Sequence, residues 1–456
     1  MALDALLEVA SGAHSNVVTP ELLRSSSLGP RDRAFVTELV NGTLRWRRLL
    51  DHALAPLSKR PLHDLDAPVL EGLRLGAHQL RIGVRPHAAV SETVDAVAQR
   101  AAQARGLVNA VLRRLADQGS WPVPTGGSDR AVGVRTSHPD WIVRGFRESF
   151  GPDVAQRILD LDNEAPRMVL RANPARTDAS ELCRELEAAG GEVVPGRLVP
   201  GAVAVSGLGD PAALDAVSAG RATPQDEASQ VVAAAVPLPD SGAVLDVAAA
   251  PGGKSTALGE RVATAGYAEG RAPVVVASDI DGRRLTRVGE AAERLGLGGV
   301  ARMVADGRQL PFADGAAPVV LVDAPCSGLG VLRRRPEARW RVTHTDIGGM
   351  VAVQRRLLDE AERVVSVGGH VVYSVCTLTD EETLGVDAWL AQRHPMLVAV
   401  DGVAVDDVVP DAARRGRAAS PWMRHGRGVL LLPTAVGSDG MFAIVLRKEQ
   451  NRQRVA

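Results

Sequence analysis

Residues 319–328 read VVLVDAPCSG, an apolar run that ends in Asp-Ala-Pro-Cys. Four aliphatic residues in succession, Val319–Val322, predict a strand with both faces covered, as in a parallel sheet flanked by helices. Proline cannot continue the hydrogen bonding of a strand, so Pro325 predicts a turn that leaves Asp323 and Cys326 at the carboxyl end. Ligands bind at that edge of open α/β sheets, and the stretch therefore predicts a functional site.

A second cysteine follows another apolar run. Gly369–Val375 predicts a strand, and Cys376 comes directly after it. Since the carboxyl ends of parallel strands share one edge of a sheet, we expect the thiols of Cys326 and Cys376 to meet over one substrate.

The carboxyl-terminal half alternates apolar strands with helix-length segments. The predicted strands are Ala243–Val247, Val274–Ser278, Val300–Val304, Val319–Val322 and Gly369–Val375. This alternation predicts a doubly wound, Rossmann-like parallel sheet, and Val429–Leu432 with Met441–Leu446 predicts an antiparallel edge. We assign this α/β domain to residues 226–450.

The amino-terminal half is helical in pattern. Apolar residues recur at helical spacing from Ala2 to about Ala116, which predicts an all-α domain over residues 1–128. Residues 129–225 predict a small α+β connecting segment, in which Cys183 lies on a helix and is expected to pack in the interior.

Composition excludes several classes of protein. The 456 residues carry 53 Lys and Arg against 54 Asp and Glu, so any RNA binding must come from local patches rather than from net charge. Three scattered cysteines predict neither a disulfide scaffold nor a metal site. Acidic residues in Met1–Ala10 argue against a signal peptide, and no apolar run is long enough to span a membrane, so we expect a cytoplasmic protein.

The stretch Leu245–Ser255, LDVAAAPGGKS, reads as a strand, a glycine-rich turn and the start of a helix. It matches neither the P-loop nor the GxGxxG dinucleotide pattern. The acid at its edge, Asp246, suits an adenosyl ligand that has no pyrophosphate. Three more acids, Asp279, Asp306 and Asp323, follow successive predicted strands, and together they indicate S-adenosylmethionine.

The two thiols indicate which atom is methylated. Methyltransferases that act on amino groups of bases often carry Asn/Asp-Pro-Pro-aromatic where this chain has Asp323-Ala-Pro-Cys326. Carbon 5 of a pyrimidine is a poor nucleophile, and a thiolate that adds at carbon 6 activates it. The sequence therefore favours methylation at C5, although buried cysteines are commonly core residues.

At these residues the chain resembles the RNA cytosine-5 methyltransferases of the bacterial Sun/Fmu (RsmB) type, which modify 16S rRNA and carry a NusB-like amino-terminal domain. The motifs that carry the resemblance are Pro224–Gln230, Ala249–Lys254, Asp323–Gly328, Arg334–Pro336 with Trp340, Tyr373–Thr377 and Asp439–Phe442. Two positions depart from the family pattern, because Ala248 replaces a cysteine and Ser-Val-Cys-Thr replaces Ser-Thr-Cys-Ser.

The resemblance implies a role for each site residue. Cys376 would be the nucleophile and Cys326 would assist product release, with Asp323 and Lys254 facing the base. The implied cofactor residues are Ala248, Ala249, Ala250, Pro251, Gly252, Gly253, Lys254, Asp279, Arg284, Asp306 and Asp323. The implied partner is 16S rRNA, free or early in subunit assembly, and we expect a monomer.

Arginine clusters predict where RNA binds. Arg333, Arg334 and Arg335 directly follow the Cys326 loop, and together with Arg339, Arg341 and Trp340 they suit phosphate binding and base stacking. Other candidates are Arg45, Arg47, Arg48, Arg113 and Arg114 in the helical domain, and Arg414, Arg415, Arg417, Arg424 and Arg427 with Trp422 near the end. In each case a solvated or packed face is the alternative.

Two other functions remain open at this point. A tRNA cytosine-5 methyltransferase would carry the same core motifs. A catalytically inert RNA-binding or antitermination factor would depend on the helical domain alone, but the intact pair of Cys326 and Cys376 argues against it.

Overall fold

A computed structural model describes residues 1–400 and 421–450. The chain forms two units. The first unit comprises residues 1–165 and 332–342, and the second comprises residues 166–331 and the described residues from 343 onward. Residues 129–165, which we assigned to the connecting segment, are grouped with the first unit.

The first unit is built from helices, as the apolar spacing predicted. They are α1 (Ala2–Ala10), α2 (Ser15–Arg24), α3 (Pro30–Arg45), α4 (Arg47–Leu54), α5 (Ala67–Arg81), α6 (Pro86–Ala98), α7 (Arg105–Asp117), α8 (Asp129–Arg135) and α9 (Asp140–Leu161), the last with a kink at Gly151. Their apolar faces form one core around Leu50, Leu73 and Leu112, which are fully buried.

Residues 332–342 join this helical unit from a distant part of the chain and contain a short helix, α15 (Ala338–Arg341). Its anchor is Arg339, whose side chain is fully buried. The guanidinium donates to the carbonyl oxygens of Ser137 at 3.1 Å and Asp162 at 3.0 Å, and to Asn163 Oδ1 at 2.9 Å. Burial lowers the pKa of Arg339 to about 9 and raises the pKa of Asp162 to about 7.

The same segment corrects part of the predicted RNA surface. The Arg333 side chain is only 8% exposed, and the Trp340 indole N–H donates to the Leu44 carbonyl oxygen at 2.6 Å. These two side chains contribute to packing, so Trp340 is not a free platform for base stacking. Arg334 is half-buried and Arg335 is exposed, and for these two RNA contact stays a prediction.

We expect Arg339→Met to destabilise the first unit, because the substitution leaves the buried carbonyl groups of Ser137 and Asp162 and the Asn163 side chain without their donor, and removes the positive charge beside the Asp162 carboxyl group. Loss of one partner from a buried charged network costs about 3 kcal/mol or more, and the melting temperature should fall by roughly 6 °C or more. Scanning calorimetry of the full chain would measure it. Arg335→Met, an exposed position in the same segment, is the matched control, and equal melting temperatures for the two variants would contradict the role given to Arg339.

The second unit begins with a small antiparallel sheet of strand order β2-β3-β1-β4. Its strands are β1 (Met168–Ala172), β2 (Glu192–Pro195), β3 (Ala202–Ser206) and β4 (Ala222–Pro224), with helices α10 (Ala179–Ala188) and α11 (Asp215–Ser218). Cys183 is half-buried and packs against the apolar core of this sheet, as expected. The α+β character predicted for this region is confirmed.

The large sheet follows, with strand order β11-β12-β13-β9-β8-β5-β6-β7 and β10 paired to β13. The strands are β5 (Ala243–Val247), β6 (Val274–Asp279), β7 (Val300–Val304), β8 (Ala317–Asp323), β9 (Val365–Val375), β10 (Leu397–Ala399), β11 (Trp422–His425), β12 (Gly428–Leu431) and β13 (Met441–Lys448). The associated helices are α12 (Glu227–Ala235), α13 (Gly253–Thr264), α14 (Gly282–Leu295), α16 (His344–Val364), α17 (Leu384–Arg393) and α18 (Pro433–Val436).

The pairing of these strands confirms the predicted fold. Strands β5 to β9 are parallel, and β13 pairs with β9 and β12 in antiparallel register. The central strands β5 and β8 are largely apolar because helices cover both faces, and Val244, Val320 and Leu321 are fully buried. The strand order reverses between β8, β5 and β6, which places a crevice at the carboxyl ends of β5 and β8.

Candidate active site

The turn after β5 holds the residues predicted to bind the cofactor. Ala248 and Gly252 both have positive φ, and a Cβ atom at Gly252 would lie 3.0 Å from Val288 of α14, so glycine permits the tight approach. Asp279, at the end of β6, accepts from the Ala250 N–H at 3.0 Å. Arg284 donates to the Ala250 carbonyl oxygen at 2.7 Å. The structure therefore brings the turn, Asp279 and Arg284 together.

Asp306 lies beside this group, although its carboxylate is already paired. The Ala305 N–H donates to the Asp279 carbonyl oxygen at 3.1 Å, which fixes the loop next to the end of β6. Arg308 donates to both oxygens of Asp306, at 2.9 and 2.7 Å, and these hydrogen bonds lower the pKa of Asp306 to about 2. Asp306 is thus ionised at neutral pH, and contact with the adenine edge stays a prediction.

Asp246 does not lie at the edge of the site as predicted. It is an internal residue of β5, its side chain is 1% exposed, and it accepts a short hydrogen bond from the Ser255 hydroxyl of α13. Burial raises the pKa of Asp246 to about 7. The alternation of a β-strand does not show which polar residue points into the protein. Asp246 joins the strand to helix α13, which follows the turn.

Two apolar residues near the cofactor turn were missed in the sequence. Ile280 directly follows Asp279 and is 62% exposed, and Val304 ends β7 and is 64% exposed. Exposed aliphatic side chains at the carboxyl end of a sheet offer surfaces on which a flat adenine ring can pack. The sequence feature that could have indicated them is an apolar residue at the carboxyl end of each strand, where the following residues are polar.

The structure brings the two cysteines together. Strand β8 pairs in parallel with β9, and the register places Asp323 opposite Ser374. The chain turns after both strands, and the sulfur atoms of Cys326 and Cys376 are 3.4 Å apart. Contact with the Cys376 sulfur and burial raise the pKa of Cys326 well above the usual range of a thiol. Cys326 therefore keeps its proton at neutral pH and can donate a hydrogen bond to Cys376.

The other two predicted catalytic residues form an ion pair at the same edge. Lys254 Nζ lies 2.7 Å from Asp323 Oδ2, and the Ser374 hydroxyl donates to Asp323 Oδ1 at 2.7 Å. The Lys254 side chain is 7% exposed, whereas that of Asp323 is 33% exposed. Asp323 is therefore held from within the protein and keeps one face toward the crevice.

Glu382 is a residue of the candidate site that the sequence did not reveal. Its fully buried carboxylate accepts from the Ser327 N–H at 2.9 Å, the Thr379 hydroxyl at 2.8 Å and Gln354 Nε2 at 2.9 Å. The Ser327 hydroxyl also donates to it. Ser327 follows one cysteine and Thr379 lies three residues after the other, so this one carboxylate fixes both thiol-bearing loops.

We expect Glu382→Gln to slow methyl transfer roughly 10- to 100-fold, because an amide group replaces an acceptor oxygen and charge-assisted hydrogen bonds disappear. The Michaelis constant for S-adenosylmethionine should change little, since the cofactor turn lies on other strands. Steady-state kinetics with labelled cofactor would measure both constants. The neighbouring exposed residue provides the control, Glu381→Gln. An unaltered kcat for Glu382→Gln would show that methyl transfer does not require the hydrogen bonds of this carboxylate to the two loops.

The predicted basic patch near the end of the chain is only partly described. Arg414, Arg415 and Arg417 lie outside the described residues. Arg424 is exposed, whereas Arg427 pairs with Asp387 at 2.8 Å and Trp422 is 5% exposed. Trp422 therefore packs in the interior and does not present its ring to RNA.

Neither a metal cluster nor a membrane-spanning helix occurs in the described ranges, 1–400 and 421–450. These ranges contain no group of three or more His, Cys, Asp and Glu side chains suited to a metal ion. Nor is any helix within them long and apolar enough to cross a membrane.

Comparisons with known proteins agree with this geometry. Residues 233–447 match the family described as 16S rRNA methyltransferase RsmB/F, and residues 1–117 match the NusB family. Residues 138–210 match the ferredoxin-like domain of RsmF/B-like methyltransferases. Ribosomal RNA small subunit methyltransferase B of Thermus thermophilus is 34% identical over 98% of this chain and 97% of its own length. The enzyme of the same name from Xylella fastidiosa is 36% identical over 92% of each chain.

The chain belongs to the RsmB/F family of 16S rRNA methyltransferases. It is accordingly an rRNA methyltransferase that uses S-adenosylmethionine. Solved structures support the fold. PH0851 superposes with a TM-score of 0.82 at 23% identity, over 98% of this chain and 97% of its own. NSun6 from Pyrococcus horikoshii, solved with SFG, gives a TM-score of 0.56 at 19% identity, over 69% of this chain and 99% of its own.

Proposed function

We propose that this RsmB/F enzyme methylates carbon 5 of a cytosine in 16S rRNA, with the Cys376 thiolate as the nucleophile. The observation that carries the proposal is the 3.4 Å distance between the sulfur atoms of Cys326 and Cys376 at the carboxyl ends of adjacent strands. Methylation of a base nitrogen or of a ribose hydroxyl needs no thiol, so a pair of cysteines in this crevice favours carbon 5.

The reaction begins with addition of Cys376 to the ring. The thiolate forms a bond to C6, and the electron pair of the C5=C6 double bond moves onto C5. Asp323, held by Lys254 and Ser374, contacts the polar edge of the cytosine and favours this addition. S-adenosylmethionine, bound by the turn 248–254 with Asp279 and Arg284, supplies the methyl group that C5 takes.

Release requires that C5 lose its proton and that the C6–sulfur bond break. The Cys326 sulfur lies 3.4 Å from the Cys376 sulfur and is therefore the group next to the adduct, and its thiol first gives its proton to solvent. The Cys326 thiolate then accepts the C5 proton, the C5=C6 double bond re-forms, and Cys376 leaves as a thiolate.

The substrate is proposed to be 16S rRNA that is free or only early in subunit assembly, bound by a monomeric enzyme. The cytosine must be unstacked before it can reach a thiol in a crevice, which costs least for an unpaired base. RNA that ribosomal proteins do not yet cover leaves such a base accessible. The relatives named above are small subunit rRNA methyltransferases, which favours rRNA over the tRNA alternative. An inert RNA-binding factor would have no use for the ordered contacts of Cys326, Cys376 and Glu382.

We expect Cys376→Ala to abolish both methyl transfer and any covalent protein–RNA complex, because no group remains to add to C6. Cys326→Ala should accumulate a covalent complex, since addition proceeds and release does not. The substrates are unmodified 16S rRNA transcript and S-adenosylmethionine, with denaturing gels to detect the complex and nucleoside mass spectrometry to detect 5-methylcytosine.

Cys183→Ala is the matched control, because this third cysteine packs against the small sheet and should leave both readouts unchanged. A complex that accumulates with Cys376→Ala and is absent with Cys326→Ala would reverse the two roles. Full activity of Cys376→Ala, or a methylated base other than 5-methylcytosine, would refute the proposal.

A further inference from the structure

The first unit contains a cleft that the methyl-transfer chemistry does not use. Its volume is about 720 Å³, which is within the range of small-ligand sites. Helices α4, α5 and α8 form its walls, together with the turn around Leu62 and His63. Its lining includes the arginines Arg47, Arg48, Arg74 and Arg130 and the carboxylate of Asp51.

Two of these arginines are neutralised within the protein. Arg74 donates to both oxygens of Asp51, at 2.7 and 2.8 Å, and to Glu71 at 2.6 Å. Arg48 lies 2.6 Å from Asp140 and also donates to the His138 carbonyl oxygen. Asp51, Glu71 and Asp140 thus form their ion pairs with Arg74 and Arg48, and these two arginines stabilise the walls of the cleft.

The guanidinium groups of the other two arginines make no direct hydrogen bond or ion pair with the described residues, although Asp51 and Glu71 lie close enough to Arg47 to favour its charge. Arg47 is half-buried, and in the described part of the chain it makes no ion pair or hydrogen bond. Its guanidinium lies 5.8 Å from the centre of the Trp340 ring, and burial lowers its pKa. Arg130 is exposed near the start of α8 and likewise has no carboxylate within ion-pair distance among those residues. Arg47 therefore keeps N–H groups that no described residue accepts, and Arg130 presents its guanidinium to solvent, so both can donate to an anion that enters the cleft.

We propose that this cleft binds a backbone phosphate of the rRNA substrate, with Arg47 and Arg130 as its ligands. A guanidinium presents paired N–H donors that match two phosphate oxygens, so arginine suits this role better than lysine. A phosphate contact fixes the position of the RNA without reading its sequence. The inference rests on the rRNA substrate of the proposed function and not on which atom of the base is methylated.

The hydrogen bonds also separate this pair from the other arginines considered in the helical domain. Arg45 is buried and donates to the Arg333 carbonyl oxygen at 3.1 Å, so it acts in packing. Arg114 donates to the Leu57 carbonyl oxygen at 3.2 Å. Arg113 is exposed on α7 and does not line the cleft, which makes it the matched control for charge removal from the same unit.

The test measures binding of the full-length chain to unmodified 16S rRNA transcript by filter binding, without cofactor. Arg47→Ala and Arg130→Ala should each weaken binding roughly 3- to 10-fold, as expected when one charge-assisted hydrogen-bonded interaction is removed. Each should also flatten the dependence of log affinity on log salt concentration by about 0.7 to 0.9 for each phosphate that is no longer bound. Arg113→Ala should match the wild-type chain in both measurements.

Affinity and salt dependence equal to wild type for both cleft variants would overturn the proposal, as would equally weakened binding with Arg113→Ala. RNA binding that is unchanged while binding of an acidic protein is weakened would assign the cleft to that protein instead. If the melting temperature of Arg47→Ala falls, Arg130→Ala decides the question, because its side chain is exposed. A chain that binds rRNA through the cleft yet makes no 5-methylcytosine would refute the proposed function and leave the cleft assigned.

Discussion

Parallel pairing of β8 with β9 is the constraint on which the active site depends. The register that sets Asp323 beside Ser374 brings both strands to their carboxyl ends at the same level, and the two cysteines follow within three residues. Backbone pairing alone would leave the loops after these strands free to separate. The Glu382 carboxylate prevents this, since it accepts hydrogen bonds from the loop on each side. The sheet thus sets the approximate distance between the sulfurs, and a buried carboxylate holds it.

Much of this arrangement could be predicted because it follows from local sequence pattern. Unbroken aliphatic runs mark the buried strands, and Pro325 marks the point at which β8 must end. Since strands of a parallel sheet share one carboxyl edge, acids and thiols that follow such runs must gather there. The convergence of the turn after β5, Asp279, Asp323 and both cysteines was predicted in this way, whereas the assignment of nucleophile and releasing thiol is a prediction that comes from family resemblance.

The parts that could not be predicted depend on contacts between residues that are distant in the sequence. Glu382 lies in Thr-Asp-Glu-Glu-Thr, a polar stretch that resembles an exposed turn, and nothing local shows that the second glutamate is buried. Asp246 was predicted at the edge of the cofactor turn but is buried. A single carboxylate in a strand does not show which face of the sheet it occupies. Arg339 and Trp340 were predicted to contact RNA because the local sequence does not show which side chains are buried. Their hydrogen-bond acceptors lie about 200 to 300 residues earlier in the chain.

The segment 332–342 affects how the chain is made as well as how it is folded. The helical unit obtains Arg339 and Trp340 only after residue 342 has left the ribosome, when strands β1 to β8 of the other unit have already been synthesised. The amino-terminal unit therefore completes its interior late in translation, although most of its sequence emerges first. A gene fragment that ends after α9 would encode a protein whose carbonyl groups at Ser137 and Asp162 lack the Arg339 donor. No single truncation point in the gene therefore separates the two units.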